Sequence, residues 1–399
     1  MVPNKIVYLD NNATTKVDSK VLEAMLPYFS EHYGNPSSIY HMAHDAHIAL
    51  DKARETVKDF FGAKSKNEVV FTASGSESIN MAIRGALALN KDKKHIITTA
   101  VEHAAVINLY KALENEGYSA TYLKVDNNGD LDLEELKNAI KEDTALVSVM
   151  WANNETGIIF PVEEIAKIVK EKNPNTKVFV DGVQAAGKIK MDLANTEIDF
   201  VSISGHKFHA PKGVGALYIK SSNKIPALII GGHQERALRA GTENVPYIVG
   251  LGEACKLVME NFDENQKKIE RLRNKLEKGI LDNVFNARLN SKSKNRVSNT
   301  TNIGFEYIEG EMILLHFDEV GICASSGSAC TSDSLEPSHV LRAMNVPFTS
   351  LHGSIRFSLS HFTTEEEIDY AIQVIPPIIE KIASISPFQK ELKALKEKN

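Results

Sequence analysis

Val178-Phe179-Val180-Asp181-Gly182-Val183-Gln184 decides the fold. Its three consecutive apolar residues read as a strand covered on both faces, the pattern of a parallel sheet. An aspartate closes the run. In an open α/β sheet the carboxyl ends of the strands face the ligand crevice, which makes Asp181 a candidate site residue. The competing reading is that Asp181 caps a following helix.

The same pattern repeats outward in both directions. Strands are expected at 68–72, 95–99, 120–125, 145–151, 177–181, 198–203 and 215–219. Helical patterns at 76–89, 104–116, 132–141 and 161–172 separate the first five. This predicts an α/β domain, a mostly parallel seven-stranded sheet covered by helices. The last two strands have little helix between them, so one is expected to run antiparallel. A long helical pattern over 247–281 bridges to residues 300–385, which read as a smaller α+β domain. The charged tail 390–399 is expected to fray.

Composition narrows the function classes. The 399 residues carry 46 Lys plus Arg against 52 Asp plus Glu, a net charge of −6, which argues against a phosphate-backbone binding surface. No apolar run approaches the ~18–20 residues of a membrane helix, and no signal-type stretch follows Met1. Three cysteines, Cys255, Cys323 and Cys330, are too few and too irregular for a disulfide framework or a four-cysteine zinc site. A reducing, cytoplasmic setting is expected. His41, His44 and His47 recur at threes, but no Cys or carboxylate pattern completes a metal set.

Three local patterns carry chemistry. Ser202-Ile203-Ser204-Gly205-His206-Lys207 puts a lysine just past an apolar strand. Partial desolvation there would free its amine for imine chemistry, although a lysine closing a strand is also an ordinary surface feature. Phe71-Thr72-Ala73-Ser74-Gly75-Ser76-Glu77 runs from strand to helix. Ser74 and Glu77 fit a capping box, and the same helix N-terminus offers N–H groups to a phosphate. Asp181 is the third, since a carboxylate there can keep a pyridine nitrogen protonated. Lysine, strand-end aspartate and phosphate seat together describe a pyridoxal-phosphate site. Neither G-x-x-x-x-G-K-[ST] nor G-x-G-x-x-G occurs, which weakens an ATP or nicotinamide reading.

Longer stretches carry a resemblance. Leu9-Asp10-Asn11-Asn12-Ala13-Thr14-Thr15, Tyr33-Gly34-Asn35-Pro36-Ser37-Ser38, Val101-Glu102-His103, Ala152-Asn153-Asn154-Glu155-Thr156-Gly157, Ser204-Gly205-His206-Lys207, Arg239-Ala240-Gly241-Thr242 and Ser325-Ser326-Gly327-Ser328-Ala329-Cys330 resemble, in order, motifs of the NifS/IscS-type cysteine desulfurases. The similarity spans about residues 5–385. It implies fold type I of the pyridoxal-phosphate enzymes and a homodimer with sites near the subunit interface. The implied boundaries are a large domain at 14–262 and a small one at 1–13 and 263–399 carrying the Cys330 loop. Lys207 resembles the Schiff-base lysine. Asp181 would pair with the ring nitrogen and His103 would stack on the ring. Gln184 would reach the ring hydroxyl, and Asn154 would lie beside that oxygen and the substrate. Gly75, Ser76, Ser204 and His206 would hold the phosphate, with Thr242 reaching across from the other subunit. Arg356 resembles the arginine that clamps the substrate carboxylate. Two positions depart from the common pattern. Gly182 stands where alanine is usual and Ser76 where threonine is frequent, which is expected to loosen the cofactor geometry slightly.

The resemblance also sorts the cysteines. Cys255 and Cys323 lie in apolar stretches and are expected to be core. Cys330 sits among Ser, Gly, Ala and Thr, a reactive setting. The implied reaction converts L-cysteine to L-alanine and leaves sulfur on Cys330 as a persulfide, for a NifU/IscU-type scaffold or another thiolation acceptor. Lys207 would take the α-proton. A thiol titrates near ~8.5, so Cys330 needs a proton acceptor, with His103 and the departing enamine as candidates. No resident metal, membrane or nucleic acid is expected, and Cys330 would at most ligate a cluster iron transiently. The alternatives are a selenocysteine lyase or aminotransferase of the same fold, or a non-catalytic binding subunit.

Overall fold

The protein is described by a computed structural model over residues 5–326 and 337–397. β1 (Val7–Tyr8) precedes the central strands β2 (Val69–Thr72), β3 (His95–Thr99), β4 (Ser119–Leu123), β5 (Thr144–Met150), β6 (Lys177–Asp181), β7 (Phe200–Ser204) and β8 (Gly215–Ile219). After them come β9 (Ala287–Leu289), β10 (Thr300–Phe305), β11 (Ile322–Cys323), β12 (Ser325–Ser326) and β13 (Ser354–Ser358). Each of the seven central strands falls within two residues of its expected place.

The central sheet runs β2-β8-β7-β6-β5-β3-β4. β8 is antiparallel to both neighbours and every other pairing is parallel. The cause is the β7–β8 link, which is too short for the crossover that a parallel return needs. Strands β2, β3, β5, β6 and β7 therefore end on one edge of the sheet, and the loops leaving that edge carry the site. β2, β3, β5, β7 and β8 are buried along their whole length, as expected of strands covered on both faces.

Apolar residues gather on either side of a long helix, Val245–Asn283. Its first part, with Ile248, Leu251 and Cys255, joins the core around the central sheet. Its last part, with Ile269, Leu272, Leu276 and Ile280, joins a separate cluster containing Val7, Leu9, Phe305, Phe357 and Ile379. In that second region β12-β13-β10-β9 form an antiparallel sheet. β1 reaches back along the chain to pair in parallel with β11.

Two expectations need comment. Cys255 is fully buried, and burial pushes its thiol up. Cys323 is only partly buried, not core, because β11 pairs with β1 alone and leaves one flank uncovered. The three histidines sit on the exposed side of the helix His41–Phe61, while Ala43, Ala46, Ala49, Leu50 and Ala53 make its buried ridge.

Candidate active site

A cavity of about 320 Å³ opens at the carboxyl edge of the central sheet. That is large enough for a small cofactor. Ten sequence-predicted residues line it: Gly75, Ser76, His103, Asn154, Asp181, Gln184, Ser204, His206, Lys207 and Arg356. Nine come from the ends of β2, β3, β5, β6 and β7 or the segments just after them: Asp181 and Ser204 close their strands and the other seven follow. Arg356 comes from β13, in the smaller sheet. Thr242 is elsewhere, in a separate depression with Glu235 and Arg239. Cys330 lies outside the described residues.

Asp181 ends β6 on the cavity floor, 4% exposed. Its Oδ1 accepts from the Val183 N–H at 3.0 Å and the Ser202 hydroxyl at 3.2 Å. The helix-cap reading fails, because no helix follows β6 directly; Asp181 braces a turn instead, and it lines the cavity. Burial raises its pKa, against the pull of His103 and Lys207. A buried carboxyl of this kind shares a proton readily with a basic ring nitrogen.

The β2–helix turn behaves likewise. Ser74 caps the helix Gly75–Leu89 by accepting from the Glu77 N–H. Glu77 returns a bond to the Ala73 N–H instead of to Ser74, and it also holds Arg239 at 2.8 Å. The helix start carries partial positive charge into the cavity. A side chain on Gly75 would put its Cβ 2.9 Å from Val183 Cγ2, so backbone alone fits there.

His103 caps the helix Ala104–Asn115, its Nδ1 accepting from the Ala105 N–H at 3.1 Å. Burial lowers its pKa, opposed by Asp181 and aided by Lys207 and His339. The neutral ring therefore carries its proton on Nε2, with its one lone pair already used. His206 is neutral too, pulled down to about 4 by burial and by Lys207, Lys212 and Lys188.

The segment Asp10–Thr15 ties the two sheets together through individual contacts that no local pattern marks. Lys207 Nζ donates to the carbonyls of Asn12 at 2.7 Å and Ala13 at 2.8 Å. Gln184 Nε2 donates to the same Asn12 carbonyl at 3.0 Å. On the other side Asn12 Nδ2 donates to Thr300 and to the Asn154 carbonyl. Arg356 donates to Asp10 at 2.8 Å and to the Asn154 carbonyl at 3.0 Å, while its buried Nε has no partner among the described residues. Asp10 thus holds the guanidinium that a substrate carboxylate would need. The one signal in the sequence is the polar run Asp10-Asn11-Asn12 just after β1.

Behind the cavity Glu102 is wholly buried. Its Oε1 accepts from Thr99 and the Met150 N–H, and its Oε2 has no partner. Burial pushes this carboxyl up to about 8. Gly182 is not a loosening of the site. A Cβ there would sit 2.8 Å from Val201 Cγ1 and 2.9 Å from the Ser202 carbonyl, so this chain needs glycine for β6 and β7 to stay close.

The arrangement suits pyridoxal phosphate in its donor set: a buried carboxyl for the ring nitrogen, a helix start for the phosphate and a lysine between them. Comparison with known proteins agrees. The aminotransferase class-V family matches residues 7–371. Cysteine desulfurase 2 of Trichormus variabilis is 53% identical over 97% of this chain and 96% of its own length. The cysteine desulfurase NifS of Azotobacter vinelandii is 50% identical over 96% of this chain and 94% of its own. A solved NifS-like protein superposes with a TM-score of 0.89 at 42% identity, covering 94% of this chain and all of that one.

Proposed function

The chain belongs to the aminotransferase class-V family as a pyridoxal-phosphate-dependent cysteine desulfurase, and from that premise we propose how its own residues divide the reaction. When bound, pyridoxal phosphate supplies an electron sink for charge developing at the substrate α-carbon. Asp181 would keep the ring nitrogen protonated. The N–H groups at Gly75 and Ser76, with Ser204 and His206, would hold the phosphate. Gln184 and Asn154 would serve the ring hydroxyl, and His103 would pack on the ring. Arg356 exchanges Asp10 for the substrate carboxylate, so the substrate is oriented before chemistry begins. Lys207, on leaving the Asn12 and Ala13 carbonyls, takes the α-proton.

Cys330 then attacks the substrate sulfur. An S–S bond forms, the C–S bond breaks, and its electron pair leaves with the carbon fragment that becomes alanine. His103 is a poor base here, because its lone pair is tied to Ala105. The thiol proton therefore goes to the departing carbon fragment. What carries this reading is the convergence of ten predicted residues on one cavity. The test is Cys330→Ala in the cofactor-loaded protein. The variant should bind L-cysteine and form neither persulfide nor alanine in multiple turnovers, by mass spectrometry of the cysteine peptides and amino-acid analysis. Alanine release at the parental rate would remove Cys330 from the mechanism.

The division into 14–262 and 1–13 with 263–399 is proposed as part of this reading, supported by a second apolar cluster drawn from Val7, Leu9 and residues 269–382, although Val340, Leu341, Met344 and Leu351 pack into the first. Hydrogen exchange should then find two protected units, and a single one would refute the division. Two copies are proposed to pair, bringing Thr242 of each to the other's cavity. Support comes from Thr242 lying apart from its own cavity and from the exposed Phe29, Ile39 and Ile230. Sedimentation at single-chain mass would end that proposal. The sulfur acceptor is proposed to be a NifU/IscU-type scaffold in the cytoplasm, and labelled sulfur that stays on the enzyme in its presence would exclude it.

A further inference from the structure

We propose that Lys188 is a positioning residue for the cofactor, fixing the Gln184 amide so that its NH₂, not its oxygen, is offered to the ring oxygen. The proposal rests on the reading above that Gln184 faces that oxygen. Gln184 and Lys188 stand four residues apart in the turns that follow β6, where the Ala186 N–H donates to Gly182 and the Lys188 N–H to Ala185. Gly187 has φ +77°, and a Cβ there would meet Phe208 Cβ at 2.7 Å. This left-handed step leaves room only for glycine, and Lys188 follows it directly.

Lys188 is only partly buried, yet its ammonium turns inward, 2.8 Å from Gln184 Oε1. Among the described residues no carboxylate pairs with it. Its charged neighbours are cations: burial first, then Lys207 and Arg356, bring its pKa down to about 7. A lysine with a free choice would turn to water or to an acid, so its place beside a neutral amide calls for a reason. The donor inventory supplies one. In its charged form Lys188 has three N–H donors and no acceptor, so the amide atom facing it is then the oxygen. The amide NH₂ lies the other way, on the Asn12 carbonyl that Lys207 also holds. That carbonyl favours the same orientation and Lys188 adds to it, since a flipped Gln184 would set its NH₂ against the ammonium as well as its oxygen against the Asn12 carbonyl.

The experiment uses the full-length protein, stripped of cofactor and reloaded with pyridoxal phosphate. Two quantities are read: the cofactor dissociation constant by equilibrium dialysis, and the pH midpoint of the visible absorbance. Lys188→Met should weaken cofactor binding roughly fivefold and move the midpoint upward, a loss the size of one hydrogen bond. Lys188→Arg, which is also a donor without an acceptor, should restore both to near the parental values. Gln184→Leu should reproduce the Lys188→Met changes, and adding Lys188→Met to it should change nothing more. If Gln184→Leu shifts both quantities and Lys188→Met neither, the positioning role is wrong and the reading of Gln184 stands. Additive effects in the double variant would also overturn it, since Lys188 would then act by charge alone. If Gln184→Leu changes nothing, the reading of Gln184 falls and takes the proposal with it. Thermal unfolding of the cofactor-free variants separates these results from misfolding, and Lys188→Arg keeps the test decisive if Lys188→Met does not fold.

Discussion

The two sheets contribute to the cavity in different ways. The central sheet supplies Gly75, His103 and Asp181 from strand carboxyl ends, each braced locally by a cap or turn within a few residues, and Lys207 from the same edge, its amine alone held by the remote Asn12 and Ala13 carbonyls. The smaller sheet supplies Arg356 from the middle of β13, with no local brace. Its guanidinium is held by Asp10 and the Asn154 carbonyl, both remote in sequence. One side of the site is thus built from short-range structure. The other exists only once the chain ends have met. On the proposed reading, the groups that would hold the cofactor sit on the first side, and the group that would exchange one carboxylate for another sits on the second.

The largest expected effect tests the first side. Lys207→Ala should lower alanine formation by about three orders of magnitude or more, because it removes both the covalent anchor and the base. Borohydride reduction followed by peptide mapping should find no reduced imine in the variant. If an imine persists, the mapped lysine identifies another amine, and Lys188, 2.8 Å from Gln184 Oε1, is the first position to inspect.

The contrast between the two sides also explains what could be read in the sequence. Apolar runs such as Val178–Val180 mark buried strands without any knowledge of neighbours, and a polar residue at the end of such a strand has few places to go except the crevice. Asp181, Lys207 and Gly75 were legible on that ground. Arg356 was not, since in Ser354-Ile355-Arg356-Phe357-Ser358 it reads as an ordinary strand charge, and only the family resemblance gave it a role. Asp10 and Asn12 act through partners at Arg356, Thr300 and Lys207, contacts that no local pattern encodes. The helix His41–Phe61 drew notice for its histidines, whereas its structural content is the alanine ridge between them. Gly182 looked like a small loosening because spacing on one strand cannot show how close the next strand lies.

The second side is tested by Asp10→Asn, an intermediate effect. The Arg356 side chain is 6% exposed and that of Asp10 19%. Removing the carboxylate leaves a nearly buried cation short of its charged partner, so the substrate-free protein should lose about 1–3 kcal/mol, read by urea unfolding. The substrate carboxylate then has no competitor, and KM for L-cysteine should fall by roughly tenfold, the worth of one charge-assisted hydrogen bond. A rise in KM would show that Asp10 aims the guanidinium instead of occupying it, and the contrast between fixed and exchanging sides would lose its basis.

The smallest effect on activity is expected behind the first side, at Glu102. Its carboxyl stands near 8 when folded and near 4.5 in an unfolded chain, with burial as the main cause. Between these values the folded protein binds more protons than the unfolded one. The contribution of Glu102 to stability is therefore fully present below about pH 4.5 and is lost as pH rises through about 8. The protonated acid suits its surroundings, because Oε1 has two donors and Oε2 faces none. Glu102→Gln keeps the shape and removes the titration. Urea unfolding of the cofactor-free protein from pH 5 to 9 should show a slope in the parent that is absent in the variant. Above pH 8 the variant should be the more stable of the two, by on the order of a few kcal/mol. Turnover at neutral pH should stay within about twofold, since the Glu102 side chain bonds the Thr99 hydroxyl and the Met150 N–H and does not line the cavity. Parallel stability curves would show that Glu102 is ionised in the folded protein. Oε2 would then need a donor, and the rigid side of the site would conceal a buried charge.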